Sequence, residues 1–260
     1  MPGSDDATGA GRAPGIRIEG LHRAFDGQPV LRGVDLEVVP AELMVVIGRS
    51  GGGKSVLLRH MLGLVRPDAG RILIDGQDVT ALRGRALDRL RACFGVVFQS
   101  GALFDSLTVF QNVLFPIREK TRFPAQVLAS RAQEALEQVG LGDMGHKFPA
   151  EISGGMRKRV AIARALVMEP QIVFLDEPTT GLDPILVNSI HQLIVDLHAR
   201  FQFTAVMVSH EIPEIFRIAN RVAVLHEGRI RAVGPPAEIE GSTDPAVRRF
   251  IHGEVEAHAT

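Results

Sequence analysis

Short runs of apolar residues alternate with helical periodicity along most of the chain. Nearly continuous apolar runs, typical of strands buried on both faces of a sheet, occur at residues 43–47, 94–98, 171–175, 203–209 and 221–225. Apolar residues at helical spacing predict helices at 54–64, 82–92, 184–200 and 211–219. Because strands that alternate with helices form βαβ units, the pattern indicates an α/β fold with a largely parallel sheet.

Two regions depart from this pattern. Residues 16–39 alternate apolar and polar positions around a turn at 26–29, which predicts strands near the N terminus. Residues 106–165 show helical periodicity, no strong strand, and prolines at 116, 124 and 149 that we interpret as helix breaks. The sequence therefore predicts a helical subdomain inserted into a strand-based core.

Composition and charge narrow the functional classes. The 260 residues carry 29 basic and 30 acidic side chains, so the charge balance gives no overall basis for nucleic-acid binding. The single cysteine, Cys93, excludes an internal disulfide and a cysteine-cluster metal site. Residues 1–15 lack the apolar segment of a signal peptide and are expected to form a disordered tail. Polar side chains interrupt the longest nearly uncharged stretch, residues 94–117, which is not predicted to span a membrane.

A glycine-rich loop directly follows the first apolar run. It matches the pattern G-x-x-x-x-G-K-[ST] with Gly48, Arg49, Ser50, Gly51, Gly52, Gly53, Lys54 and Ser55. In such a loop, backbone N–H groups and a helix N terminus bind phosphate oxygens, the lysine reaches the β- and γ-phosphates, and the hydroxyl binds Mg²⁺. The alternative is an ordinary glycine-rich turn, but Lys54 is one of only four lysines and falls at the required position. We therefore predict a P-loop nucleotide site.

Polar side chains also follow three later apolar runs. Gln99 follows the second run, Asp176 and Glu177 the third, and His210 the fourth. Because ligands bind at the carboxyl ends of parallel strands, we expect these groups to meet beside the P-loop. Asp176 is then expected to hold Mg²⁺, and Glu177 to orient and deprotonate the attacking water. Taken singly, the acid pair also fits a strand that reaches solvent, and His210 fits a surface histidine.

A second glycine cluster, residues 152–156 (ISGGM), precedes a helical pattern. Ser153 suits the N-cap of that helix, so the cluster presents another helix N terminus to an anion. The alternative is an ordinary capped helix. Because the cluster lies in the helical insert, we do not expect it to reach the P-loop of its own chain.

In this order and spacing, the motifs GRSGGGKS, the Gln99 loop, ISGGM, IVFLDE, TGLD (residues 180–183) and His210 resemble the nucleotide-binding domain of an ABC transporter, over residues 16–235. The resemblance implies a P-loop ABC ATPase fold with an N-terminal antiparallel β subdomain, a helical subdomain over residues 100–165, and a C-terminal extension at 236–260. It also implies ATP hydrolysis with Mg²⁺ in a head-to-tail homodimer. Ser153 and Gly155 of one subunit would contact the γ-phosphate bound by Lys54 of the other.

The same resemblance implies roles for individual residues. Phe25 falls at the position of the aromatic residue that stacks on adenine, and Asp183 in a loop that contacts the second subunit. The implied catalytic residues are Glu177, His210 and Gln99, and the implied Mg²⁺ ligands are Ser55, Gln99 and Asp176. The implied ATP-binding residues are Phe25, Gly48, Arg49, Ser50, Gly51, Gly52, Gly53, Lys54, Ser55, Val56, Ser153, Gly154, Gly155 and Asp183. Two positions depart from the family pattern without removing a phosphate ligand: Met156 replaces the usual Gln, and Gly181 replaces a common Ala.

Within the family, three segments resemble the Mla-type phospholipid-transport ATPases of Gram-negative bacteria, which work with MCE-domain lipid carriers. The segments are FQSGALF (98–104), the glycine cluster ending in Met156, and residues 245–253. This resemblance implies a peripheral subunit on the cytoplasmic face of the inner membrane. Its implied partners are a transmembrane permease, an MCE-domain lipid-binding protein and a small regulatory subunit, with no nucleic acid. Transport of another small molecule is the alternative.

Other functional classes fit the motifs less well. A soluble ABC protein that acts on ribosomes or DNA usually carries two cassettes or a long coiled-coil insertion, and this chain has neither. A non-hydrolysing nucleotide-gated module would be expected to lack Glu177. A P-loop small-molecule kinase would leave residues 152–156 unexplained. The motifs therefore favour a transport ATPase.

Five of the 13 phenylalanines cluster around Gln99: Phe94, Phe98, Phe104, Phe110 and Phe115. The first two belong to a predicted strand and are expected in the core. The segment 101–116 is apolar and lies in the insert, so we expect it to form an apolar groove that binds a short helix of the membrane subunit. Leu103 and Phe104 are expected among its exposed members.

Overall fold

The computed structural model describes residues 13–252 and has the α/β architecture expected from the sequence. Its strands are β1 (Ile16–Phe25), β2 (Gln28–Val38), β3 (Leu43–Ile47), β4 (Ala69–Ile74), β5 (Gln77–Asp78), β6 (Phe94–Val97), β7 (Ile172–Asp176), β8 (Thr204–Ser209), β9 (Arg221–His226) and β10 (Arg229–Gly234). Its α-helices are α1 (Lys54–Met61), α2 (Gly84–Arg91), α3 (Val109–Lys120), α4 (Ala125–Gln138), α5 (Gly154–Leu166), α6 (Pro184–Phe201), α7 (Pro236–Glu240) and α8 (Pro245–His252).

The strands form two sheets. The smaller sheet is antiparallel in the order β2–β1–β4–β5, which confirms the expected antiparallel N-terminal region. The larger sheet has the order β10–β9–β3–β8–β7–β6 and is parallel except for β10, which runs antiparallel to β9. This order places the carboxyl ends of β3, β8, β7 and β6 side by side. We call that side of the sheet the carboxyl edge.

The larger sheet is buried on both faces, as its continuous apolar runs predict. In β3, Leu43, Val45 and Ile47 contribute to one core, and Met44 and Val46 contribute to a second, because successive side chains of a strand point to opposite faces. The first core also includes apolar residues of α3, α4, α5 and α6. The second core includes α1 and the smaller sheet. The sheet thus carries the helical subdomain on one face and the N-terminal sheet on the other.

The helical subdomain contains α3, α4 and α5, but one of its predicted breaks is wrong. Pro116 lies inside α3, which continues to Lys120. The ring removes one N–H from the helix, yet the face formed by Val109, Val113 and Ile117 is completely buried in the first core. We infer that this burial offsets the lost hydrogen bond.

One further expectation differs from the structure, and several elements were not predicted. The helix expected at 211–219 is only a 3₁₀ turn, Glu214–Arg217. Pro213 stands just before that turn and lacks the N–H that a longer helix would need. The strand β10 and the helices α7 and α8 were not indicated by the apolar pattern.

Both ends of the described chain pack into the fold. The carbonyl of Pro14 accepts a hydrogen bond from Thr204 Oγ1 (2.8 Å), so the last residues of the expected tail are held by the core, while residues 1–12 lie outside the described residues. In the expected C-terminal extension, Ile239 of α7 and Val247 of α8 are buried, and residues 253–260 lie outside the described part. Between residues 13 and 252, no helix has the length and hydrophobicity needed to cross a membrane.

Candidate functional site

The loop between β3 and α1 holds the predicted P-loop. Gly48 packs so closely on β9 that a Cβ would lie 2.3 Å from the carbonyl oxygen of Leu225, and Gly53 has a φ of +98°. Both positions therefore require glycine. Gly52 N donates to the carbonyl of Arg49 (3.0 Å) and closes the intervening turn. Inside that turn are Ser50 and Gly51, and the first turn of α1 follows with Lys54, Ser55 and Val56.

Lys54 is buried within this loop. Its side chain is 4% exposed, and Nζ donates to the carbonyls of Gly48 (2.8 Å) and Arg49 (3.1 Å). Burial lowers the pKa of Lys54, while the charges of Glu177 and Asp176 oppose that shift. An ammonium held at a helix N terminus on two carbonyl oxygens can turn to a phosphate when one is present.

The structure brings two oxygen ligands together at the start of α1. Ser55 Oγ donates to Asp176 Oδ1 at 3.0 Å. Burial raises the pKa of Asp176; the hydrogen bond from Ser55 opposes that shift and the charge of Glu177 adds to it. A hydroxyl and a partly buried carboxylate at this separation are hard oxygen donors of the kind that Mg²⁺ prefers, and a cation would relieve the cost of burying the carboxylate. The pair therefore fits Mg²⁺.

Glu177 directly follows β7 and lies between the ends of β6 and β8, the strands on either side of β7. Its Oε2 accepts hydrogen bonds from Gln99 Nε2 (3.1 Å) and Thr180 Oγ1 (3.0 Å), and its Oε1 lies 3.4 Å from Nδ1 of His210. Its own N–H donates to the carbonyl of Val208 (3.0 Å), and its φ is +45°. A non-glycine residue in this conformation is held there by its surroundings and is often functional. The carboxylate is thus fixed beside the P-loop.

Gln99 is placed differently from its expected role as a metal ligand. Its amide nitrogen is bound to Glu177, whereas the pair that fits the metal is Ser55 and Asp176. Gln99 therefore lies with Glu177 and His210, and its binding to Mg²⁺ stays a prediction.

A buried polar network behind Glu177 was not predicted from the sequence. Thr179 Oγ1 donates to Oε2 of Glu211, and Nε2 of the buried His191 lies 3.5 Å from the same oxygen. Burial raises the pKa of Glu211, but the close contact with His191 and the hydrogen bond from Thr179 outweigh this effect and the net shift is downward. The network joins the segments after β7 and β8 to α6. A glutamate directly after His210 was the available signal.

Phe25 ends β1 beside the hairpin turn and is 39% exposed. The guanidinium of Arg23 lies 4.6 Å from the centre of its ring, and Arg23 is itself paired with Asp68 at 2.7 Å. The adjacent strand β2 contacts the P-loop, because a Cβ on Gly53 would lie 3.2 Å from Val30. The ring is therefore accessible on the sheet that adjoins the P-loop.

The second glycine cluster begins α5. Ser153 is the N-cap, its Oγ accepts a hydrogen bond from Met156 N (3.2 Å), and the residue is exposed. A Cβ on Gly154 would lie 3.6 Å from Leu182, and one on Gly155 would lie 3.3 Å from Leu186. The cluster thus packs on the segment that leads into α6 and leaves Ser153 at the surface.

Asp183 has a local structural role besides the subunit contact that the resemblance implies. It is the N-cap of α6, and its Oδ1 accepts hydrogen bonds from Ile185 N (3.0 Å) and Leu186 N (3.1 Å). Ile185 is 81% exposed although it is a large apolar residue. An exposed isoleucine in the first turn of α6, next in sequence to the Leu186 that lies against Gly155, indicates a contact surface there.

The phenylalanine cluster is only partly as expected. Phe94 is buried, but Phe98 is 41% exposed and does not belong to the core, because β6 ends one residue before it. Phe104 is 44% exposed, and the centre of its ring lies 4.9 Å from that of Phe115. Leu103 packs against the first core and is therefore not one of the exposed residues, contrary to the expectation from the sequence.

The loop that carries Phe104 is held by a buried side chain. Asn112 is completely buried, accepts a hydrogen bond from Phe104 N (2.8 Å), and donates to the carbonyls of Phe104, Leu107 and Thr108. A groove of about 410 Å³ lies beside this loop, and its lining is more polar than the apolar groove expected at residues 101–116. It is lined by Thr108, Phe110, Gln111, Gln133, Gly142, Asp143, Gly145 and His146.

The amino-acid sequence matches a known family and close relatives. A model of the ABC transporter family matches residues 31–180. The chain is 40% identical to the probable ribonucleotide transport ATP-binding protein mkl of Mycobacterium leprae, over 94% of this chain and 72% of that protein. It is 40% identical to the intermembrane phospholipid transport system ATP-binding protein MlaF of Escherichia coli, over 85% and 82%. It is 41% identical to the methionine import ATP-binding protein MetN of Rhodospirillum rubrum, over 91% and 69%.

Solved structures show the same fold. The dimeric ATP-binding cassette MJ0796, in a post-hydrolysis state bound to ADP and Pi, superposes with a TM-score of 0.77 at 29% identity and covers 85% of this chain and 98% of its own. The protein cbiO1 of Clostridium perfringens, part of the ABC transporter complex cbiONQ, superposes with a TM-score of 0.81 at 32% identity and covers 92% and 95%. The chain therefore belongs to the ABC transporter family, and it is an ATP-binding, ATP-hydrolysing domain with the P-loop ABC ATPase fold.

Proposed function

We propose that this ATPase works as a head-to-tail homodimer that drives phospholipid transport through a transmembrane permease. The observation that carries the hydrolytic part is the fixed position of Glu177. Gln99 and His210 hold it next to the P-loop, on the same edge as Ser55 and Asp176.

In this proposal each group of residues at the carboxyl edge has its own role in ATP hydrolysis. Lys54 and the backbone of residues 48–53 bind the β- and γ-phosphates. Ser55 and Asp176 hold Mg²⁺, which stabilises the charge on the transferred phosphoryl group when it is bound. Glu177 accepts the proton of the attacking water, while Gln99 and His210 orient the carboxylate and contact the γ-phosphate.

The surface around the α5 N terminus supports the dimer. Ser153 is exposed at the start of a helix, and the exposed Ile185 lies nearby on α6. A helix N terminus that bears an exposed hydroxyl suits an anion. We propose that this anion is the γ-phosphate bound by the P-loop of a second copy, with Gly154, Gly155 and Asp183 forming the surrounding contact. The adenine of that nucleotide would stack on Phe25 of the same subunit as the P-loop that binds its phosphates.

The substrate does not follow from overall identity, because relatives at 40–41% identity are named for ribonucleotide, phospholipid and methionine transport. Phospholipid is favoured by the segments 98–104, 152–156 and 245–253, which resemble Mla-type ATPases. The match to MetN makes methionine, or a similar small solute, the second candidate.

The proposed partners follow from the same resemblance. A permease would bind the surface around Phe104, and the assembly would include an MCE-domain lipid-binding protein and a small regulatory subunit. The ATPase would then lie peripherally on the cytoplasmic face of the inner membrane. We also propose residues 16–235 as the ATPase domain, with the subdomain at 100–165 and the extension at 236–260.

Purification from membranes tests the substrate. The native complex is isolated in detergent, its bound lipids are extracted and identified by mass spectrometry, and its ATPase activity is measured with phospholipid, methionine or ribonucleotides added. We expect co-purified phospholipid and stimulation by phospholipid alone, with the Glu177→Gln complex as the inactive control. Stimulation by methionine or a ribonucleotide would contradict phospholipid transport.

A further inference from the structure

Lys158 is a buried cation that the site described above does not use. It lies on α5, shortly after the second glycine cluster, and is 8% exposed. Its ammonium donates a hydrogen bond to the backbone carbonyl of Gln99. Of the four lysines in the chain, Lys54 and Lys158 are the two that are buried, and both face the carboxyl edge. A buried ammonium is costly unless it is paired and hydrogen-bonded, so its position requires an explanation.

The surroundings of Lys158 contain two carboxylates. Burial lowers the pKa of Lys158, and the charges of Glu211 and Glu177 oppose that shift. Glu211 is bound to Thr179 and faces His191, as described above. The ammonium thus stands between the Gln99 loop and the two acids that follow β7 and β8.

Lys158 is also connected to Glu177 through the residue that it holds, Gln99. Lys158 holds the main chain of Gln99, and the side chain of Gln99 donates to Glu177 Oε2 at 3.1 Å. Moving the carbonyl of Gln99 would also move its amide and weaken that hydrogen bond. Lys158 is therefore linked to the Glu177 carboxylate through Gln99.

A second basic residue of α5 holds the same loop and provides a comparison. Arg164 donates to the carbonyls of Gly101 (2.7 Å) and Ala102 (2.8 Å). Burial alone lowers the pKa of Arg164, with no acidic neighbour opposing the shift. Both side chains support the loop, but Lys158 is the one that faces carboxylates of the site.

We propose that Lys158 is a positioning residue for ATP hydrolysis, which ties the Gln99 loop to α5 and keeps the amide of Gln99 on the Glu177 carboxylate. This inference rests on the proposed roles of Gln99 and Glu177. It predicts an effect on turnover and not on nucleotide binding, because Lys158 touches neither the P-loop nor the Ser55–Asp176 pair.

The test compares Lys158→Met with Lys158→Arg in the full chain. We expect kcat of Lys158→Met to fall about tenfold or more, since small displacements of catalytic groups have effects of this size or larger. The Kd for ATP should stay within about twofold of wild type, because Lys54 and the P-loop carry the binding free energy. Lys158→Arg keeps the charge and the donor and should restore most of kcat. A Lys158→Met variant with wild-type kcat, or with a raised Kd as its main defect, would overturn the proposal.

Three controls separate positioning from general stability. Lys120→Met makes the same change at an exposed site and should leave kcat and Tm unchanged. Arg164→Met removes the other support of the loop; if it lowers kcat as much as Lys158→Met at an equal loss of Tm, the effect is only structural. Should Lys158→Met fail to fold, Lys158→Gln retains a donor without the charge, and its kcat should lie below that of Lys158→Arg.

A double-mutant cycle with Gln99→Ala tests whether Lys158 acts on Glu177 through Gln99. If Lys158 acts through Gln99, Lys158→Met should have little further effect on kcat in the Gln99→Ala background, whereas additive losses would contradict the route. Glu177→Gln is measured in parallel. A wild-type rate in that variant would refute the role of Glu177 and this inference together, while a wild-type rate in Lys158→Met alone would refute only the inference.

Discussion

Replacing Glu177 with glutamine tests the proposed general base with little change in shape. Glu177 Oε2 accepts hydrogen bonds from Gln99 (3.1 Å) and Thr180 (3.0 Å), and Oε1 faces Nδ1 of His210 at 3.4 Å. A glutamine can keep its carbonyl oxygen toward the first two donors and turn its amide toward a neutral His210. The geometry of the site should therefore survive, and the ability to accept a proton from water is lost.

The expected effect is large on turnover and small on stability. A positioned general base contributes about 10²–10⁴ in rate, so the barrier should rise by about 3–5 kcal/mol. The charge of Glu177 raises the pKa of Asp176 because the two carboxylates repel each other. Removing the charge of Glu177 relieves this repulsion but also removes its attraction to the buried ammonium groups of Lys54 and Lys158, so we expect the Tm of the nucleotide-free protein to change little.

The assay combines three measurements on the same protein. Phosphate release gives kcat, equilibrium binding of ATP gives Kd, and size-exclusion chromatography with multi-angle light scattering gives the mass with and without ATP. We expect a kcat lower by the factor above, an unchanged Kd, and an ATP-bound dimer that accumulates because hydrolysis no longer opens it. Normal turnover would show that another group activates the water, and a weakened Kd would show that Glu177 acts in binding.

Four further changes test other parts of the protein. Lys54→Ala should abolish ATP binding, because the buried Lys54 ammonium is the cation held at the P-loop; near-native affinity by calorimetry would refute the assignment. Ser153→Arg should stop hydrolysis while the monomer still binds ATP, and weaker binding by the monomer would argue against action on the partner's nucleotide. Phe104→Glu should spare the basal ATPase of the isolated subunit and reduce its co-purification with the membrane subunit. Leu103→Glu should instead lower Tm because Leu103 packs on the core, and a Phe104→Glu variant that assembles normally would place the docking surface elsewhere.

The sequence predicted the parts of the fold that depend on local pattern. The run at 43–47 is a strand buried on both faces, and the parallel sheet brings the groups that follow β3, β6, β7 and β8 to one edge. Patterns that need tertiary knowledge were harder to interpret. By its sequence, Pro116 predicts a break in α3, but burial of that helix in the first core compensates for the lost hydrogen bond.

The candidate site was likewise predictable where it depends on local sequence and not where it depends on tertiary packing. Motif spacing indicated Lys54, Glu177 and their neighbours, because their chemistry requires particular residues next to particular strand ends. It could not show that Lys158, 59 residues from Gln99, would bind its carbonyl, because that contact depends on how α5 packs against the loop. For Asp183 the resemblance implied only a contact with the second subunit, although the helix predicted at 184–200 begins directly after it, where its carboxylate accepts hydrogen bonds from Ile185 N and Leu186 N.

Mixing two inactive variants tests the shared site most directly. Each homodimer of Lys54→Ala or of Ser153→Arg would have both of its composite sites damaged. A heterodimer of the two would have one intact site, formed by Lys54 of the Ser153→Arg subunit and Ser153 of the Lys54→Ala subunit. For random pairing in a two-fold dimer with independent sites, the mixture should recover about a quarter of the wild-type ATPase rate. A mixture that forms heterodimers but stays as inactive as its separate components would contradict the head-to-tail sharing of Lys54 and Ser153.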